Sequence, residues 1–123
     1  MSFGARALIR LGALNHNLDS IRRVAPDSRV MAVIKANAYG HGMVAVARHL
    51  TDVDAFAVAR VPEAVELREN GIDVPIVLLA GVIDERELQA AVAMGFEPVV
   101  HCREQLELLE AAKAGSLAIW LKF

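Results

Sequence analysis

Cysteine is scarce in this chain of 123 residues, with Cys102 the only one. A lone thiol cannot close an internal disulfide, which excludes a disulfide-stapled secreted scaffold and fits a reducing compartment. Aromatics make up 5% of the residues, and four prolines with eight glycines exclude collagen-like and proline-rich chains. Neither sign of charge dominates. Thirteen Lys plus Arg face fifteen Asp plus Glu, a net charge of −2, so nothing calls for nucleic acid or an anionic membrane as partner. The longest stretch free of Asp, Glu, Lys and Arg, Ala36 to Ala47, falls well short of the roughly 20 apolar residues that span a bilayer. The opening Met1-Ser2-Phe3-Gly4-Ala5-Arg6 lacks the basic region and long apolar core of a signal peptide. What is present, 55% hydrophobic and 23% charged residues, suits a packed core rather than a disordered tail. The sequence reads as a soluble, cytoplasmic, globular unit.

Short β-rich runs alternate with helical ones. Arg6–Leu11 reads as a leading strand, because Ala7, Ile9 and Leu11 alternate with Arg6, Leu8 and Arg10. Leu14, Leu18, Ile21 and Val24 follow helical spacing over Ala13–Val24, and Pro26-Asp27 breaks that helix. Arg29–Ala36 (RVMAVIKA) is a β-branched run of the kind buried on both faces. A loop with Gly40 and Gly42 leads to a helix through about Leu50. Strands follow at Ala55–Arg60, Val74–Ala80, Glu97–His101 and Leu117–Phe123. Helices fall between them at Pro62–Asn70, from the capping Asp84 to Gly95, and at Arg103–Ala114.

Such β-α units imply parallel strands with right-handed crossovers. Five of them suit either a complete flavodoxin-like doubly wound sheet or the first five strands of an eight-stranded β/α barrel, which needs about 250 residues. The chain stops at Trp120-Leu121-Lys122-Phe123, inside a strand; composition leaves the choice undecided, and the chemistry of the residues below tips it towards the barrel.

Lys35 is the most unusual residue. It ends an apolar strand, and in parallel α/β folds ligands bind at that end. Apolar walls push a lysine towards the neutral amine, which can attack a carbonyl and form a Schiff base. The plainer reading is a strand-end lysine whose amine reaches water. Tyr39-Gly40-His41-Gly42 follows and precedes a helix, so glycine amides and a helix amino terminus could meet the phosphate of a cofactor on Lys35. A tight β-α turn explains the same glycines, and G-x-G-x-x-G is absent.

Val33-Ile34-Lys35-Ala36-Asn37-Ala38-Tyr39-Gly40-His41-Gly42, ten consecutive residues, resembles the pyridoxal-phosphate attachment motif of the alanine racemases. Glu63–Gly71 (EAVELRENG), Pro75–Leu79 (PIVLL) and Trp120-Leu121-Lys122 fall where that family has counterparts, so the resemblance runs along essentially the whole chain. It implies that residues 1–123 are the amino-terminal part of a TIM-type (β/α)8 barrel. The remaining strands and a carboxy-terminal β domain then lie outside this chain. It implies pyridoxal 5'-phosphate as cofactor, attached to Lys35, which also serves as acid and base on one face of the substrate. Tyr39 matches the tyrosine that hydrogen-bonds the cofactor phosphate, and Leu79 a leucine near the pyridine ring. Lys122 matches a lysine that many members carry carbamylated, supporting an arginine beyond Phe123. The implied activity is the interconversion of L- and D-alanine by two-base proton transfer, supplying D-alanine for peptidoglycan. The implied assembly is a cytoplasmic homodimer whose other subunit supplies the second base, a tyrosine. Residues 1–123 alone, with two open sheet edges and no second base, are expected not to racemise alanine.

Other readings stay open: a broader-specificity racemase or a decarboxylase on the same barrel, or a non-catalytic pyridoxal-phosphate-binding barrel. A flavodoxin-like domain without cofactor is the fourth. His16, His41, His49 and His101 have no partners at metal-ligand spacing, so no metal is expected. Cys102 beside His101 is not a catalytic pair, since adjacent strand residues face opposite ways. Glu63, Glu66 and Glu69 read as a solvated helical face, and Arg60 as a strand end without assigned role.

Overall fold

A computed structural model describes residues 4–112 and 115–123. Helix α1 spans Leu11–Val24 and ends with Arg22 and Arg23 in its last turn, where positive charge suits the helix carboxyl end. Strand β1 is Met31–Val33, followed by a single tight turn over Lys35–Tyr39 and by helix α2, Met43–His49. β2 is Ala55–Val58, α3 Val61–Glu69, β3 Ile76–Leu78 and α4 Glu85–Met94. β4 (Phe96–Val100), α5 (Arg103–Ala111) and β5 (Trp120–Leu121) complete the series. The cap expected before α4 is present: the Asp84 carboxylate accepts from the Glu87 amide at 2.8 Å, and Gly95 ends the helix in the left-handed region.

All strand pairs are parallel, and the sheet order is β1-β2-β3-β4-β5. A doubly wound sheet reverses its order at a switch point. This one never reverses, so right-handed crossovers put every helix on one side and the sheet is the unclosed first part of a β/α barrel. Phe56, Val58, Ile76, Leu78 and Phe96 face the helices and are buried against Ala64, Leu67, Leu88 and Ala91. On the other face Ala57, Val77 and Val99 form a small second cluster with Met31 and Leu79 packed on it.

The leading strand expected over Arg6–Leu11 does not form. Residues 4–10 are irregular, Leu8 is exposed, and Leu11 already belongs to α1. Alternation alone cannot hold a strand that has no neighbour to pair with. Two other strands are shorter than their apolar runs: Arg29–Ala36 yields Met31–Val33, and Leu117–Phe123 yields Trp120–Leu121, both exposed. The last three residues expected in the final helix include 113–114, outside the described residues.

Polar side chains fasten α1 beneath the sheet. Arg22 pairs through Nε with Asp52 at 3.0 Å and through Nη2 with Asp54 at 3.4 Å, and Asp54 Oδ2 accepts from the Val30 amide at 2.6 Å. That amide, joined by the charges of Arg22 and Arg29, holds the Asp54 carboxyl below its ordinary 3.8, against a smaller desolvation effect that raises it. A carboxyl lowered by folding stabilises above its unfolded value and loses that contribution as pH falls through the folded value. Unfolding free energy should therefore drop as pH falls from about 5 to below 3.8. Urea titrations across that window should give Asp54→Asn the shallower slope; equal slopes would remove the carboxylate from the account.

Candidate active site

Lys35 does not sit on β1 itself. β1 ends at Val33, Ile34 is buried on the helix side with its amide bonded to Ala57 O at 2.9 Å, and Lys35 opens the turn that follows. The register pairs Val33 with Ala57 and Ala57 with Val77, so Lys35 follows β1 at the same end of the sheet at which Leu79 follows β3. Leu79 is half-buried on the inner cluster, two strands from Lys35 and thus roughly 10 Å across the sheet.

The turn is unusual for L-amino acids. Ala36, Asn37, Ala38 and Tyr39 have φ of 52°, 55°, 53° and 54°, four successive non-glycine residues in the left-handed region. Each costs about 1–2 kcal/mol relative to a right-handed residue, so the surroundings must enforce it. They do so at both ends. Asn37 Oδ1 accepts from Met43 N at 2.8 Å, and Gly42 N donates to Asn37 O at 2.9 Å. At the entry, Ala36 N donates to Glu63 Oε1 at 2.7 Å, while Glu63 Oε2 accepts from Ala59 N at 2.7 Å and Arg60 N at 2.9 Å.

Glu63 was expected to be one of three solvated glutamates. It is instead half-buried and holds backbone from two loops. Its signal in the sequence is the spacing Arg60-Val61-Pro62-Glu63, with proline in the first helical turn and an acid at the third helical position. Three further side chains extend the stitching. Arg60 pairs with Glu87 at 3.0 Å, and Glu87 also accepts from Ile83 N at 3.0 Å. Buried Gln105 donates to Ala80 O and accepts from His101 N, both at 2.9 Å. The loops after β1, β2, β3 and β4 are thereby linked in order around the rim. Arg60, unassigned in the sequence, is one of these links.

Of the two readings open for the glycine loop, the tight turn is the one its hydrogen bonds match. Gly40 N is bonded to the carbonyls of Ala36 and Asn37, Gly42 N to Asn37, and Met43 N at the start of α2 to the Asn37 side chain. The amides are consumed in holding the turn. Tyr39 projects from it 60% exposed, and among the described residues neither its hydroxyl nor the Lys35 amine has a hydrogen-bond or ion-pair partner. An unengaged amine, a phenolic donor on the next turn and the apolar wall of Met31 and Leu79 are a donor set that fits a carbonyl-bearing aromatic phosphate. Lys122 lies at the same end of the sheet but on its far edge, exposed, with its amide bonded to Val100 O at 3.0 Å. Lys35, Tyr39, Leu79 and Lys122 thus all lie at one end of the sheet, Lys35 and Tyr39 on the turn after β1, Leu79 after β3 and Lys122 after β5. His16, His41 and His101 are exposed, His49 ends α2, and no group of metal-binding side chains exists among the described residues.

Fold and site together define the opening segment of a β/α barrel built around a lysine at the mouth of its first strand. The family described as "Alanine racemase, N-terminal domain" matches residues 9–123, and the chain belongs to it. Alanine racemase of Vibrio cholerae is 47% identical over 119 residues, 96% of this chain and 33% of that protein. Alanine racemase of Thioalkalivibrio sulfidiphilus is 52% identical over 125 residues, 99% of this chain and 35% of that protein. The crystal structure of biosynthetic alanine racemase from Pseudomonas aeruginosa superposes with a TM-score of 0.84 at 39% identity, over 92% of this chain and 32% of that one. The chain spans about a third of the length of the relatives it matches.

The rim stitching depends on Gly81, whose φ is +72° and where an added Cβ would run into Val99 O and the Gln105 amide. Gly81→Ala should therefore lower stability by about 1–3 kcal/mol in urea titrations. An unchanged midpoint would show that the Gln105 link is dispensable.

Proposed function

We propose that this chain is the amino-terminal barrel segment of a pyridoxal-phosphate-dependent alanine racemase. The carrying observation is the Lys35 amine, without a partner among the described residues, at the start of the left-handed turn that follows β1. Membership of the family, and relatives named alanine racemase, support the same reading. When bound, pyridoxal 5'-phosphate supplies an electron sink that makes the α-hydrogen of an attached amino acid acidic.

Lys35 would hold that group covalently and, once the substrate amine has displaced it, would take or return the α-proton at Nζ on one face of L- or D-alanine. The Tyr39 hydroxyl would donate to the phosphate, and Leu79 would pack near the ring and exclude water from it. In the longer protein Lys122 carries a carbamate, an anion made tolerable by an arginine beyond Phe123. The proton on the opposite face belongs to a tyrosine of the second subunit of a homodimer. The reaction supplies D-alanine for peptidoglycan in the cytoplasm, and no helix among the described residues is long and apolar enough to cross a membrane.

Borohydride reduction of the full-length protein loaded with pyridoxal phosphate, followed by peptide mapping, should place the pyridoxyl group on Lys35. Lys35→Ala should abolish both that adduct and racemisation. An adduct on Lys113 or Lys122 instead would overturn the assignment.

A further inference from the structure

Glu63 is placed as a helix cap and does more than a cap requires. At the third position of α3, a capping glutamate reaches back to the amide of the residue before the helix, here Arg60 N. Glu63 also accepts from Ala59 N and, across 27 residues of sequence, from Ala36 N. Ala36 is the first residue of the left-handed turn and the residue joined to Lys35. Its amide has no other partner among the described residues, because the remaining bonds of the turn engage Ala38, Gly40 and Gly42. Asn37 secures the exit of the turn, so the entry rests on Glu63.

We propose that Glu63 is a positioning residue for Lys35, its carboxylate clamping the Ala36 amide to the Ala59 and Arg60 amides and so fixing the backbone from which the lysine projects. This rests on the functional reading above. Only an acceptor-only group serves all three amides. Glutamine, almost the same shape, brings one acceptor oxygen and one NH2. With its oxygen on Ala59 and Arg60 it still caps α3, but its NH2 then faces the Ala36 N–H. A pure helix cap tolerates glutamine; a clamp does not. Misplacement of a reacting group by about 1 Å can slow a reaction 10²-fold.

The test uses the full-length enzyme loaded with pyridoxal phosphate, wild type against Glu63→Gln. The variant should keep the melting temperature of the wild type and a similar KM for alanine. It should lose roughly ten- to hundred-fold in kcat. The pH midpoint of the visible band of the lysine-bound cofactor should shift, and hydrogen exchange at the Ala36 amide should quicken at least about ten-fold as its acceptor is lost. If Glu63→Gln does not fold, Glu63→Asp, whose shorter carboxylate reaches Arg60 but not also Ala36, should give the same four results. Wild-type kcat, band midpoint and Ala36 exchange in the variant would overturn the proposal. So would losses that merely follow a fallen melting temperature. Absence of the lysine-bound band in the wild type would instead overturn the functional reading, while the Ala36 exchange would still decide whether Glu63 clamps the turn.

Discussion

Four successive residues in a conformation that L-amino acids avoid stand between Lys35 and the loop that returns to the sheet. Of Ala36-Asn37-Ala38-Tyr39 only Asn37 tolerates that path readily, so the turn depends on the partners its backbone groups find. The Asn37 side chain and the Glu63 carboxylate are those partners, one at each end. Strain of this kind persists where the surroundings over-determine the backbone, and it gathers at functional sites. Here it begins at the residue joined to Lys35.

The sheet supplies the rigid base for that turn. Strands in strict sequential order, with the large side chains Phe56, Phe96, Ile76 and Leu78 turned outward to the helices, leave small residues such as Ala57 on the inner face. Small inner residues make room at the mouth beside Leu79. The loops above are joined to one another, since Glu63, the Arg60–Glu87 pair and Gln105 tie each to the next. These links are polar and two of them use backbone groups, which gives the rim geometric definition that exposed ion pairs alone do not provide.

Much of this was legible in the sequence. Apolar runs at Ala55–Arg60 and Val74–Ala80 became buried strands, Asp84 capped α4, and Gly95 ended it. Lys35 and Tyr39 were picked out by a motif and Leu79 by the resemblance of Pro75–Leu79, and all three lie at one end of the sheet. Three features were not legible, each because tertiary contact decides it. The left-handed turn contains no glycine in its four residues, and local propensity points elsewhere. Glu63 looks like its neighbours Glu66 and Glu69 until folding brings Ala36 beside it. Arg6–Leu11 alternates like a strand but has nothing to pair with. Gly40 and Gly42 left two readings open in the sequence, and their amides are bonded within the tight turn.

The central claim, that a strained turn held from both ends presents Lys35 to a covalent cofactor, is tested most directly by a crystal structure of the full-length protein grown with pyridoxal 5'-phosphate. The account predicts continuous density from Lys35 Nζ into the pyridine ring, left-handed backbone from Ala36 to Tyr39, and the Glu63 carboxylate on the amides of Ala36, Ala59 and Arg60. A right-handed or extended path after Lys35, with Glu63 turned to solvent while the cofactor is still attached, would contradict it.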